Sequence, residues 1–177
     1  METPMNVEHR ATIAADPDAI FAFIQSPEYH RALVPHLRLV EAIEPLSEEV
    51  ADDGTLSRVA RYTARAELPR FLKRFEDKAP EFVYWEERSR LNPTTRELRY
   101  EIVPEMPENW RSYYSNEGTL RVEADAAGNA SVVMQNLEFN VSVPGLSLFI
   151  GKALRTEITN IFEAQAAVLR EHFGEKA

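Results

Sequence analysis

The stretch LSLFIGKALRTEITNIFEAQAAVLREHF, residues 146–173, decides how this chain folds. Its apolar residues Ile150, Leu154, Ile158, Ile161, Phe162, Val168 and Leu169 recur at helical spacing and make one broad stripe. Val143-Pro144-Gly145 closes off what precedes it, and Gly174 stands where a helix C-terminal cap belongs. One long helix is therefore expected over Leu146–Phe173. The stripe has a polar centre at Gln165, with Glu157 at its edge and His172 near its end. Such a helix laid across a sheet either closes a dry core or roofs a cavity. An unpaired buried amide costs ~1–3 kcal/mol, so Gln165 either finds a partner in the protein or faces something polar in a pocket.

Upstream, Met5–Ala14 alternates Val7, His9, Ala11 and Ile13 against Glu8, Arg10 and Thr12, which predicts a strand with one inward face. Asp16-Pro17-Asp18 is a helix start: a capping carboxylate, a proline at the first helical position, and an acid at the positive end. Ser26-Pro27-Glu28 repeats it, so two short helices follow, the second ended by Pro35. The pattern then turns to strands. These are Leu37–Pro45, Thr55–Leu68, Phe82–Arg90, Thr95–Val103, Tyr113–Glu123 and Ala130–Val143, separated by turn-forming residues.

Charge pairing predicts a register for the hairpin around Asn92-Pro93. Arg88 opposite Glu97 and Glu86 opposite Arg99 give two cross-strand ion pairs on a solvent face. Trp85 then faces Tyr100 and Val83 faces Ile102 on the inner side, where Leu98 and Glu87 also point. An inward carboxylate is either paired or functional. On Thr55–Leu68 the inner face carries Ala60, Tyr62, Ala64 and Ala66. Three small residues there mean close helix packing or a cavity wall, and the inward Tyr62 and Glu87 favour the cavity.

The bulk numbers narrow the function. A chain of 177 residues is most simply one domain, 1–177. With no cysteine, disulfide and thiolate chemistry are excluded. A net charge of −9, from 29 acidic and 20 basic residues, argues against nucleic acid. None of the six glycines forms a phosphate-cradling cluster. No apolar run approaches a membrane span and residues 1–10 lack a signal-peptide core, so a cytoplasmic protein is expected. His30 and His36 have no acidic ligand at helical spacing and no HExxH occurs, so neither metal nor cofactor is expected.

The run Thr12-Ile13-Ala14-Ala15-Asp16-Pro17-Asp18-Ala19-Ile20-Phe21 resembles the opening of the START-like (SRPBCC) helix-grip superfamily, and Val141-Ser142-Val143-Pro144-Gly145 leading into the last helix is similar to a bacterial branch of it. Polyketide cyclases, pollen-allergen-type binding proteins and START lipid-transfer domains belong to that superfamily. The resemblance spans essentially the whole chain. It implies an α+β fold: a curved antiparallel sheet of about seven strands wrapped around the long C-terminal helix, with a ligand cavity between them. The two short helices would plug one end.

The expected function is binding, for transport or sensing, of a hydrophobic small molecule or lipid. The expected lining is His9, Tyr62, Ala64, Trp85, Glu87, Tyr100, Ile158, Phe162 and Gln165. One alternative is a cyclase- or dehydratase-like enzyme, for which His9, Glu87 and Tyr62 are the only set that could assemble acid–base catalysis. The other is a protein-interaction module with a filled core. The basic–aromatic segment Pro69–Lys78, with Phe71, Leu72 and Phe75 on one side, reads as a short helix packed on the sheet or as a lid. As a lid it would touch a membrane surface transiently, with Trp110 in a second mobile wall. A monomer or weak dimer is expected.

Overall fold

The computed structural model describes residues 4–68 and 70–174; of Phe71, Leu72 and Phe75 the side chains lie outside that description. Strand β1 (Met5–Ile13) leads into helices α1 (Pro17–Gln25) and α2 (Pro27–Leu33), and α2 runs on into a 3₁₀ turn, Val34–His36. Six strands follow: β2 (Val40–Val50), β3 (Leu56–Arg65), β4 (Phe82–Asn92), β5 (Glu97–Pro104), β6 (Tyr114–Ala124) and β7 (Ser131–Val141). Helix α3 (Ser147–His172) closes the chain. The strands form one seven-stranded antiparallel sheet in the order β1-β7-β6-β5-β4-β3-β2. The sheet curves around α3, which rests mainly on β1 and β7. This is the expected helix grip.

The helix starts work as their residues require. The Asp16 carboxylate accepts from the backbone N–H of Asp18 (2.9 Å) and Ala19 (3.4 Å), satisfying two orphan donors of α1. Gly174 adopts φ 83° just past α3, in the left-handed region that glycine takes without strain. At the end where β1 finishes, α1 and α2 plug the grip. Ser131 Oγ donates to Ala15 O (2.6 Å) and Arg96 pairs with Asp18 (3.0 Å), which tie the plug to the hairpin turns.

Two strand expectations need correction. Strand β2 does not stop at Pro45 but continues to Val50, with register shifts at Val40/Ala42 and Pro45/Ser47. A proline is tolerated because β2 is an edge strand, where its missing N–H interrupts no inner ladder. The β4–β5 register is also displaced. Arg88 faces Glu101, Ser89 faces Tyr100, and Trp85 faces Pro104. The turn moves on because Leu91 is fully buried and therefore belongs to the strand. Asn92 then opens the turn, its Oδ1 accepting from Thr94 N (3.0 Å) and Thr95 N (3.3 Å). Arg90 consequently faces Arg99. Like charges opposite one another at an exposed site cost roughly 0.2–1 kcal/mol, whereas burying a leucine contributes roughly 1.5–3 kcal/mol, so the leucine wins. The displacement is an even number of residues, so the inward faces expected for Trp85, Glu87, Leu98, Tyr100 and Ile102 are unchanged.

The segment Arg70–Lys78 is a 3₁₀ turn, not a regular α-helix. It lies at the end opposite the plug, as do the 3₁₀ turn Glu108–Tyr113 and the first turn of α3. Trp110, Leu148 and Phe149 are exposed there. No helix among the described residues is long and apolar enough to cross a membrane.

Candidate functional site

The buried apolar residues fall into two clusters, with half-buried Tyr100 packed against both. One apolar cluster lies at the plugged end, where Phe21, Ile24 and Leu33 meet Ile13, Leu91 and Leu169. A second lies toward the other end, where Val7, Leu137, Phe139 and Val141 meet Ile158 and Phe162. Strand alternation explains what separates them. His9 lies between Ala11 of the first cluster and Val7 of the second; Gln135 lies between Val133 and Leu137 in the same way. His9 and Gln135 are direct cross-strand partners. On α3, Gln165 stands between Phe162 and Ala166. Among the described residues, His9 Nδ1, Gln135 Nε2 and Gln165 Oε1 are buried atoms with no hydrogen-bond partner. The imidazole of His9 lies 6.3 Å from the Phe162 ring, which places it under the helix.

A second polar group lines the concave face of β3 and β4. Tyr62 faces Trp85 across the ladder, Ala60 faces Glu87, and Arg58 faces Ser89. The Tyr62 and Trp85 rings stack at 5.2 Å, and Tyr62 Oη donates to Glu87 Oε2 at 3.2 Å. Arg58 is almost wholly buried and donates to Ile24 O (3.5 Å) and Gln25 O (3.3 Å). Helix α1 has no basic residue in its last turn, so this guanidinium from the sheet supplies the positive charge its carbonyl end favours. From α2, the His30 ring meets Tyr62 edge-on at 6.2 Å.

Burial dominates the electrostatics of this group. It pushes the Glu87 carboxyl up, opposed by the positive charge of Arg58 and the Tyr62 hydrogen bond. The Tyr62 phenol is held well above its ordinary value by burial and then by Glu87. Tyr29 and Tyr100 are raised by the same two causes, again burial first. His30 is pushed down to about 4 by burial and then by Arg58, so it stays neutral at neutral pH. The three phenols keep their protons near neutrality and none serves as a base there.

The expected residues divide between the two groups. Tyr62, Trp85 and Glu87 come together, while His9 sits on β1 with three strands (β7, β6 and β5) between it and β4. Tyr100 lies over Gly118, where a Cβ would come within 2.1 Å of the ring. Ala60 and Ala64 are buried, Ala60 inside the cluster built by the plug helices. Ile158 and Phe162 are buried in the second cluster, and Gln165 is half-buried. Glu157 pairs with Arg38 at 3.2 Å. His172 stacks on Phe23 at 3.6 Å, covering the plug. The expected membrane contacts Phe71, Leu72 and Phe75 have side chains outside the described residues; Trp110 is exposed and packs edge-on to Tyr113.

Arg58 and Gln135 are not singled out by sequence pattern alone, although the signal is present. Arg58 shares the inner face with Ala60 and Tyr62, and Gln135 shares one with Val133 and Leu137. Tyr29 and His30 have no such mark, because their role depends on how α2 docks.

Near the end opposite the plug, β5 and β6 stop pairing after Tyr100–Gly118. A half-open surface pocket of ≈ 220 Å³ lies there, lined by exposed Glu101 and Arg111 as well as by Ile102, Met106, Tyr114 and Asn116. The side chains Trp85, Tyr100, Ile102 and Glu87 point to the concave face yet remain only half-buried.

A family model described as "Protein of unknown function (DUF2505)" matches residues 8–172. The chain belongs to the DUF2505 family. No curated protein sequence matches it. Solved structures extend the relation to this DUF2505 chain at the level of fold. A crystal structure of a protein from Thermus thermophilus is similar, with a TM-score of 0.67 at 18% identity, over 96% of this chain and 97% of that one. The Zhui aromatase/cyclase from Streptomyces sp. R1128 superposes with a TM-score of 0.65 at 15% identity, over 96% of each chain. The ginseng major latex-like protein 151 from Panax ginseng gives 0.59 at 10% identity, over 97% and 98%. The helix-grip fold of this DUF2505 member is thereby shown.

Proposed function

We propose that the chain binds a hydrophobic small molecule or lipid between the sheet and α3, as a carrier or sensor. The observation that carries the reading is the divided core. Two apolar clusters flank an inward belt of unpartnered polar atoms, beside aromatic side chains that face inward and stay half-buried. A protein built only to be stable would fill that belt with apolar side chains, because buried polar atoms without partners cost ~1–3 kcal/mol each. Exposed Trp110 and Leu148 at the end opposite the plug support brief contact with a membrane surface during exchange. The test is native mass spectrometry of protein purified from its own host, followed by organic extraction. A releasable apolar molecule at stoichiometric amount is expected. A bare protein that also takes up no apolar probe overturns the reading.

A second reading, a cyclase- or dehydratase-like enzyme, draws on the Tyr62–Glu87 hydrogen bond and on the similarity to a protein named as an aromatase/cyclase. A chemically altered ligand recovered after incubation, and lost with Glu87→Gln, would favour it.

A further inference from the structure

We infer that His9, Gln135 and Gln165 form a subsite for a neutral polar group that both donates and accepts hydrogen bonds, such as a hydroxyl or phenol on an apolar body. This deepens the binding reading above and rests on it. The three side chains come from β1, β7 and α3, and each stands where its own element passes from one apolar cluster to the other. His9 and Gln135 are paired across the ladder, which sets their Cβ atoms about 5 Å apart. The imidazole reaches to 6.3 Å from Phe162, and Gln165 lies one helical turn further on, on the same side.

The unpartnered atoms state the chemistry required. Gln135 Nε2 is a donor, Gln165 Oε1 is an acceptor, and His9 Nδ1 is one or the other according to tautomer. Gln135 is only 4% exposed, so solvent is no ready substitute. A hydroxyl can accept from Gln135 and donate to Gln165 at once. The inward faces of β1 and β7 carry no Asp, Glu, Lys or Arg, since Glu8, Arg10 and Glu138 all point outward. A carboxylate, phosphate or ammonium there would be buried without a fixed counter-charge, which is expensive. The neutral group is the one that fits.

Three probes of one shape test this by equilibrium dialysis at neutral pH: 2-naphthol, naphthalene and 2-naphthoate. The expected result is 2-naphthol bound about tenfold more tightly than naphthalene after correction for their partition into octanol, as one to two hydrogen bonds provide. Gln165→Leu and Gln135→Leu should each bring 2-naphthol toward naphthalene while leaving naphthalene bound. Equal corrected affinities for naphthol and naphthalene overturn the subsite and leave interior binding intact. Preference for 2-naphthoate overturns the neutral assignment. Binding of none of the three overturns the subsite and leaves the carrier reading to the extraction experiment. The wild-type comparison needs no variant, so a misfolded mutant does not obscure the result.

Discussion

At the scale of single residues, inwardness carries the information, and His30 shows what it costs. Its imidazole is buried against Tyr62 and held neutral, with its pKa lowered to about 4 by burial and Arg58. The unfolded chain takes up that proton near the ordinary value of 6.5, whereas the folded chain resists until about 4. The stability from neutral burial is therefore whole above pH 6.5 and is lost as pH falls toward 4. At about pH 5 the loss is about 2 kcal/mol. Glu87 works in the opposite sense: its raised pKa lets the folded state take a proton first as pH falls. Urea melts of wild type and His30→Gln at about pH 7 and about pH 5 separate the two, and the variant should lack His30's share of the acid sensitivity. Much at this scale was legible, because period-two alternation assigns His9, Tyr62, Glu87 and Tyr100 their faces. Arg58 was hidden by its charge: an arginine reads as solvent-facing unless its strand face is followed through it.

Elements show where local rules yield to packing. The helix caps at Asp16 and Gly174 are local chemistry and can be read directly. The β4–β5 register is not local, because a weak exposed repulsion between Arg90 and Arg99 is outweighed by the burial of Leu91. Strand β2 is the free edge beside β3, and it carries Glu41, Glu44, Glu48 and Glu49 together with Pro45 and two register shifts. Charge, proline and irregularity are the usual devices against edge-to-edge pairing. Replacing Glu48 and Glu49 with valine, next to exposed Leu46 and Val50, should therefore produce concentration-dependent dimers or larger species in analytical ultracentrifugation. The wild type should sediment as a smaller species under the same conditions.

For the whole molecule, Arg58 is the link between plug and sheet, holding the carbonyl end of α1 while offsetting Glu87. Its loss leaves buried acceptors and a carboxyl without their cation. Arg58→Met should lower stability by about 3 kcal/mol, or roughly 6–12 °C in Tm, by calorimetry. The global fold was legible because a long amphipathic helix after a run of strands has few ways to bury its stripe. The split in the core was less so, since it needs β1, β7 and α3 aligned side by side. Asn116 carries a consequence of its own. Its amide accepts from Ile102 N (2.8 Å) and donates to Ile102 O (2.7 Å), standing in for a backbone partner where β5 and β6 have ceased to pair. The wall of the grip is thus stitched at that seam by one side chain, and a side chain can swing away on a timescale that a backbone ladder does not allow. At that point the cohesion of the sheet passes from the ladder to a single amide.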